Sequence, residues 1–74
     1  MGREILEYAW VNKGFALIRQ GKCDEAIKAF DEAIKLNPQD PIARYAKGLV
    51  LQELGHSVEA DAAFAKAKKL GYQG

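Results

Sequence analysis

The sequence has little of what small catalytic or metal-binding proteins use. Its 74 residues include one cysteine and one histidine, Cys23 and His56. One cysteine cannot form an intrachain disulfide, and these two residues together cannot supply the four ligands of a structural zinc site. They fall in different turns, so we do not expect the contact of about 3 Å that activates a thiol nucleophile. We therefore expect no enzyme activity, no cofactor and no metal.

Charge and hydropathy exclude two further classes. Lys and Arg number 11 against 10 Asp and Glu, a formal net charge of +1, which gives no broad field for nucleic acid or an acidic membrane. The longest apolar runs, such as residues 15–18, are far shorter than the roughly 18–20 residues that span a bilayer. We expect no nucleic-acid partner and no membrane contact, and we take the cytoplasm as the default location.

What the sequence does contain is an internal repeat. A shift of 34 residues aligns Glu7–Asp40 with Pro41–Gly74 without a gap. The identical pairs include Gly14/Gly48, Leu17/Leu51, Gly21/Gly55, Ala26/Ala60, Ala29/Ala63, Phe30/Phe64, Ala33/Ala67 and Leu36/Leu70. These matches are small and apolar residues at helical spacing, which indicates two copies of one packed unit.

Each unit has the pattern of two helices. In the first unit, apolar residues recur at intervals of three and four over about 4–20, and Gly21 is typical of a helix end. A second helix is expected over about 23–37, with Asp24 as its N-cap and Pro38 after its end.

The second unit has similar residues at its expected helix starts and ends. Asp40 and Pro41 predict a capped start for the third helix, and Gly55 predicts its end. Ser57 is a candidate cap for the fourth helix, which Gly71 ends. No segment alternates with a period of two, so we predict an all-α fold without a sheet.

Spacing and residue type together resemble the tetratricopeptide repeat, whose pattern is W-x2-L-G-x2-Y, then A-x3-F, then P. The residues that carry the resemblance are Trp10, Gly14, Leu17, Ala26, Phe30, Ala33 and Pro38 in the first unit, and Gly48, Leu51, Ala60, Phe64 and Ala67 in the second. The chain departs from the pattern at Lys13, where the family favours Leu, at Leu17, which replaces the aromatic residue, and at Arg44 and Tyr72, which replace Trp and Pro in the second unit.

The resemblance implies two stacked antiparallel helix hairpins, four helices in all, forming a fragment of a right-handed α-solenoid. We expect one domain over 1–74, with repeat 1 at 7–40, repeat 2 at 41–74, and 1–6 extending the first helix. The small residues would let the helices of a hairpin approach to about 8–10 Å. The expected repeat core is Trp10, Gly14, Leu17, Ala26, Phe30, Ala33, Pro38, Gly48, Leu51, Ala60, Phe64 and Ala67.

The resemblance also implies a concave groove, lined by the first helix of each hairpin, that holds a partner protein. The groove positions are Tyr8, Val11, Asn12, Phe15, Ile18, Arg19, Ile42, Tyr45, Ala46, Leu49, Gln52 and Glu53. This face is mostly apolar and aromatic, more so than a monomer normally leaves exposed. The chain is thus expected to be a scaffold or adaptor that binds another protein.

Three interpretations of this face stay open at the level of sequence. It binds a partner's amphipathic helix or apolar peptide, it binds a second copy of the chain as a homodimer, or its side chains pack on one another or beneath residues 1–6. RNA binding is a remote further alternative, which the near-zero charge and aliphatic groove disfavour. Members of the family that hold a C-terminal carboxylate use Lys and Asn where this chain has Val11, Phe15 and Ala46, so that function is not expected.

The last helix differs from its counterpart in the first unit. Ile27 and Ile34 of the first unit correspond to Asp61 and Lys68 of the second. Two charges in place of two isoleucines are typical of a terminal, capping repeat, so we expect the array to end here, while a longer array upstream stays open. Since two repeats are fewer than the three usually needed, we also expect the core to be supplemented by a partner or a dimer.

Overall fold

The chain folds into four helices joined by short turns. A computed structural model describes residues 2–72 of the chain, and their side chains from residue 6 onward. The helices are α1 (Gly2–Arg19), α2 (Cys23–Leu36), α3 (Pro41–Glu53) and α4 (Ser57–Lys69). Residues 2–72 contain no strand, so the predicted all-α class is confirmed. Met1, Gln73 and Gly74, which we assigned to the extension and to repeat 2, lie outside the described residues.

Glycines end three of the helices, as predicted. Gly21 and Gly55 have φ values of 77° and 82°, in the left-handed region that side chains with a Cβ rarely adopt. After α1, the Lys22 amide donates to the Leu17 carbonyl oxygen at 2.8 Å, and after α3 the His56 amide donates to Leu51 at 2.9 Å. These bonds satisfy carbonyl groups that the helix end would otherwise leave unpaired, so each hairpin turns within three residues.

The predicted N-caps of α2 and α4 are wrong. The residues at the N-cap positions are Lys22 and His56, and neither makes a side-chain capping hydrogen bond. The reason is the tight glycine turn, which brings the chain into helical geometry at Cys23 and Ser57. Asp24 therefore lies in the first turn of α2, where its carboxylate interacts favourably with the helix dipole.

The predicted cap of α3 is confirmed. Asp40 Oδ1 accepts a hydrogen bond from the Ile42 amide at 2.9 Å, and Pro41 occupies the first helical position. Proline suits this position because its missing N–H would have had no partner in the helix. This turn sets where α3 begins and hence how the two hairpins meet.

Removal of the Asp40 cap is expected to weaken the fold measurably. We expect Asp40→Ala to lower the free energy of unfolding by about 1 kcal/mol, because the Ile42 amide loses its acceptor. Asp40→Asn keeps an acceptor oxygen and should retain most of the stability. Urea denaturation of the three proteins checks this, and an Asp40→Ala protein as stable as the unmodified chain would show that the cap contributes nothing.

The two hairpins use the same glycine–phenylalanine contact. A Cβ placed on Gly14 would lie 2.5 Å from Phe30 Cε1, and one placed on Gly48 would lie 2.6 Å from Phe64 Cε1. Each glycine therefore gives its phenylalanine ring room against the backbone of the facing helix. The equivalence of the contacts explains why glycine and phenylalanine recur together 34 residues apart.

The core lies along the inner face of α2, between α1 and α3. Phe30, Ala26 and Ala33 are fully buried, and α2 packs against both α1 and α3. The cluster continues into Val11 and Leu17 of α1 and, in α3, into Ala43, Ala46 and Val50. The first hairpin and the start of the second thus share one hydrophobic core.

Three residues expected in the core are less buried than the others. Pro38 is exposed in the turn before α3, where it acts on the backbone and not through packing. Trp10 is half-buried, with Lys13 Nζ 5.2 Å from the centre of its ring. Phe64 is half-buried; it lies on α4, which packs mainly against α3, whereas Phe30 lies on α2, which packs against both α1 and α3.

Candidate functional site

Two helices, α1 and α3, present exposed apolar side chains to solvent. Tyr8 and Phe15 of α1 are 62% and 37% exposed, and Ile42 and Leu49 of α3 are 50% and 40% exposed. All four are groove positions in the sequence analysis. Burial of so much apolar surface would be favourable, so this surface has the character of a contact site. We call it the groove face, defined by Tyr8, Phe15, Ile18, Ile42 and Leu49.

A pocket lies in the groove face where the C-terminal halves of α1 and α3 come together. It has a volume of about 250 Å³ and is lined by Phe15, Ile18, Cys23, Leu49, Val50 and Glu53. Except for the Glu53 carboxylate, the lining side chains are apolar or, in the case of Cys23, weakly polar. The pocket is therefore suited to one aliphatic or aromatic side chain of a binding partner.

Polar side chains border the apolar surface. Asn12 and Arg19 of α1 and Gln52 and Glu53 of α3 are exposed. Arg19 is in the last turn of α1, and Glu53 is the last residue of α3. An apolar centre with charged and amide groups beside it is the usual anatomy of a protein interface.

Two of the predicted groove positions are not available at the surface. Val11 is 7% exposed and belongs to the same buried cluster as Ala43 and Ala46, which is itself 2% exposed. These residues support the groove face from beneath and do not form part of its surface.

Tyr45 is half-buried in a small aromatic cluster. Its ring stacks on Tyr72, with centroids 4.1 Å apart, and lies 5.2 Å from the Phe64 ring. Desolvation raises the pKa of Tyr72 above its ordinary value of 10.0, with smaller contributions from the charge of Tyr45 and a hydrogen bond to it. Tyr45 thus connects α3 to the segment after α4 and offers only part of its ring to a ligand.

Sequence reasoning missed two contributors to this region. Cys23 begins α2, near where the second helix was expected to start, but its position in the lining of the pocket was not predicted. Glu7 is 3% exposed and accepts a hydrogen bond from Asn37 Nδ2 at 3.2 Å, which connects α1 to the end of α2. A signal for the second was the amide of Asn37 immediately before Pro38, since Asn commonly organises turns through its side chain.

Cys23 and His56, the two residues considered for catalysis in the sequence, lie in different hairpins. Cys23 is half-buried at the start of α2, while His56 is exposed with its Nδ1 3.6 Å from Glu59 Oε1. Within residues 2–72, no group of three or more His, Cys, Asp or Glu side chains is arranged to hold a metal ion. None of the four helices has the length and hydropathy required to cross a membrane, as judged over the same residues.

Comparison with known proteins identifies the class. The family model described as TPR repeat matches residues 14–55. This segment spans more than half of the chain, from within α1 to the turn that follows α3. The chain belongs to the tetratricopeptide repeat (TPR) family, as its sequence pattern indicated.

Three curated proteins illustrate the relationship. A probable UDP-N-acetylglucosamine–peptide N-acetylglucosaminyltransferase SPINDLY of Hordeum vulgare is 35% identical over 81% of this chain and 6% of its own length. Superkiller protein 3 of Saccharomyces cerevisiae is 36% identical over 70% of this chain and 4% of its own length. A TPR repeat-containing protein of Methanocaldococcus jannaschii is 33% identical over 81% of this chain and 11% of its own length.

The similarity concerns the repeats alone. The chain spans between 4% and 11% of the length of these three relatives. One relative is named as a glycosyltransferase, but the matching part is 6% of that protein and corresponds to its repeats. TPR units are non-catalytic modules that mediate contacts between proteins.

Proposed function

We propose that the chain binds a partner protein through the groove face and acts as an adaptor or scaffold without catalysis. The observation that carries the proposal is the row of exposed apolar side chains on two neighbouring helices, Tyr8 and Phe15 on α1 and Ile42 and Leu49 on α3. The apolar pocket between the two helices adds a defined anchoring point.

The partner segment is best matched by an amphipathic helix or an apolar peptide. Anchors spaced three and four residues apart on a helix would reach along the groove face together. Full burial of one large apolar side chain contributes on the order of 1.5–3 kcal/mol, so two or three anchors supply most of a useful affinity. We expect the largest anchor to enter the pocket between Phe15 and Leu49.

The charged border supports a preferred orientation of the partner. Arg19 ends α1, and Glu53, which lines the pocket, ends α3. A partner helix with an acidic residue near Arg19 and a basic residue near Glu53 would meet opposite charges at both. Such contacts at the edge of an interface set orientation and association rate more than affinity.

Recognition of a free C-terminal carboxylate is not supported. Of the three positions that would supply the amide and ammonium groups, Val11 and Ala46 are buried, and Phe15 presents an aromatic ring. A desolvated carboxylate at this place would find no donor among these side chains, which is costly.

Substitution of Leu49 tests the proposal. We expect Leu49→Glu to weaken binding at least tenfold, because a carboxylate would be placed at the pocket that buries the partner's anchor. The ligands are helical peptides selected from a displayed library on the unmodified chain, and affinity is measured by calorimetry. The selected sequences are expected to share apolar residues three and four positions apart.

The control uses an exposed apolar residue elsewhere. Val58, on α4, is 84% exposed and does not line the pocket, so Val58→Glu should bind the same peptides with unchanged affinity. Equal affinities of both variants and the unmodified chain would mean that the groove face is not the contact surface. Equal losses in both would point to a general effect of added charge.

Sedimentation separates binding of another protein from self-association on the same face. We expect the chain to remain monomeric at low and high concentration. A dimer that Leu49→Glu dissociates would show instead that a second copy covers the groove face, which is the alternative use of the same surface.

A further inference from the structure

The second hairpin has a pair of tyrosines that the first hairpin lacks. Tyr45 of α3 and Tyr72, in the segment after α4, correspond to Val11 and Pro38 of the first repeat. Tyr72 is also one of the departures from the family pattern. The groove face as defined above includes neither tyrosine, so the two phenol groups have no part in the function proposed for it.

The two phenol rings are held face to face. Their centroids are 4.1 Å apart and their planes differ by 18°, which is close stacking. Desolvation, the charge of Tyr45 and a hydrogen bond to Tyr45 all raise the pKa of Tyr72, so the two hydroxyl groups lie at the same end of the stack. The ring carbon beside each hydroxyl group therefore faces its counterpart on the other ring.

The surroundings fix one ring and leave the other free to adjust. Tyr45 is half-buried within a helix, and its ring lies 5.2 Å from the Phe64 ring of α4. Tyr72 is half-buried in the segment that follows α4, outside helical backbone. A small movement of Tyr72 is thus enough to bring the two facing carbons into bonding distance.

This arrangement suits the oxidative coupling of two phenols. Each tyrosine gives one electron to a one-electron oxidant and its hydroxyl proton to solvent, which leaves a radical shared between the oxygen and the neighbouring ring carbons. Two such carbons form one C–C bond, and the hydrogen on each then moves to the oxygen, restoring both phenols. When a haem peroxidase is the oxidant, one hydrogen peroxide takes up the two electrons and two protons and becomes two water molecules.

We propose that Tyr45 and Tyr72 form a site of oxidative modification, at which a peroxide-driven one-electron oxidant joins the two rings as dityrosine within one chain. Groups held in contact react with each other far faster than with groups that must meet by diffusion. The new bond links α3 to the end of the second hairpin and restricts the unfolded chain, as a disulfide over the same loop does. The site is independent of partner binding at the groove face.

Tyr8 is an internal control for this proposal. It is 62% exposed on α1 and takes part in none of the aromatic ring contacts among the described side chains. If exposure to the oxidant decided which tyrosines couple, Tyr8 would react first and would link one chain to another. If contact between rings decides it, Tyr45 and Tyr72 react with each other.

The test is mass spectrometry after oxidation of the folded chain by peroxidase and hydrogen peroxide. Trypsin places the three tyrosines in separate fragments, 4–13, 45–47 and 70–74. We expect a monomer that lacks two hydrogen atoms, and a joined fragment of 45–47 with 70–74 at least tenfold more abundant than any joined to 4–13. Its yield per chain should not change on dilution. Oxidation of Trp10 or Cys23 adds oxygen and, after reduction of disulfides, joins no fragments.

Phenylalanine variants separate the chemistry from the packing. Tyr45→Phe and Tyr72→Phe keep a ring in the stack but remove a hydroxyl group, so each should abolish the joined fragment while circular dichroism shows retained folding. Tyr8→Phe should leave its yield unchanged. The linked protein should unfold at a temperature higher by on the order of 10 °C than the unlinked one.

Concentrated urea, added before the oxidant, provides the last comparison. It separates the rings, so the preference for the 45–47 and 70–74 pair should disappear. Equal yields in the folded and unfolded chain would overturn the proposal, as would a joined fragment that survives Tyr72→Phe. Absence of the linked monomer under conditions that couple free N-acetyltyrosine would overturn it too, and links found only between chains would assign the reaction to exposed tyrosines.

Discussion

Replacing Phe30 with alanine is expected to lower the free energy of unfolding by about 3–5 kcal/mol. The ring is fully buried, and it contacts the backbone of α1 at Gly14 and the Phe15 ring, whose centroid is 5.4 Å away. At roughly 0.05–0.15 kcal/mol per residue, a chain of this size has a total stability of roughly 4–11 kcal/mol. We therefore expect Phe30→Ala to be largely unfolded at 37 °C, as measured by thermal and urea denaturation.

The matched variant is Phe64→Ala in the second hairpin. Phe64 occupies the equivalent position but is half-buried, so its loss should cost less, about 1–2 kcal/mol. This comparison removes the effect of residue type and leaves the effect of burial. If Phe64→Ala were as destabilising as Phe30→Ala, the core would not be centred on α2.

The second large effect is expected from an added methyl group. Gly14→Ala would place a Cβ 2.5 Å from Phe30 Cε1, and the buried ring has little space to move. Overpacking costs about 1–3 kcal/mol, while alanine gains up to about 1 kcal/mol of helix propensity over glycine. We expect a net loss of up to about 2 kcal/mol, in contrast to the gain that this substitution gives at an exposed helical site.

Gly48→Ala provides the control for this prediction. Its Cβ would lie 2.6 Å from Phe64 Cε1, but that ring is half-buried and can turn toward solvent. The destabilisation from the clash and the stabilisation from higher helix propensity should then nearly cancel, so we expect little change in the free energy of unfolding. A stabilised Gly14→Ala protein, measured by urea denaturation, would show that the glycine is not needed for close approach of α1 and α2.

Much of the fold could be predicted because both hairpins have the same packing contact and the same type of turn. Gly14 and Gly48 must leave room for a phenylalanine ring, and Gly21 and Gly55 must adopt positive φ, so residue types recur where geometry restricts them. These constraints are local to one hairpin, and a single sequence reveals them.

The features that could not be predicted depend on the packing between helices and on the geometry of the turns that join them. Val11 belongs to the buried cluster that also contains Ala43 and Ala46 of α3, and periodicity within α1 does not reveal this association. The predicted N-caps Asp24 and Ser57 are wrong because the glycine turn places the start of the following helix one or two residues earlier, with Lys22 and His56 at the N-cap positions. The boundaries of the repeats at residues 7–40 and 41–74 remain predictions.

The alternatives for the apolar face are now fewer. Residues 2–6 continue α1 as helix, so this segment does not fold back over the groove face. The exposure of Tyr8 and Ile42 shows that side chains of the face do not cover one another completely. A partner segment or a second copy are the occupants that remain to be distinguished.

Chemical-shift mapping by NMR tests the central claim most directly. The labelled chain is titrated with a peptide selected for binding to it, and the methyl and amide signals are followed residue by residue. We predict that the largest changes occur at Phe15, Ile18, Leu49 and Val50, around the pocket between α1 and α3. Changes centred on Val58 and Asp61 of α4, with the pocket signals unmoved, would contradict the account.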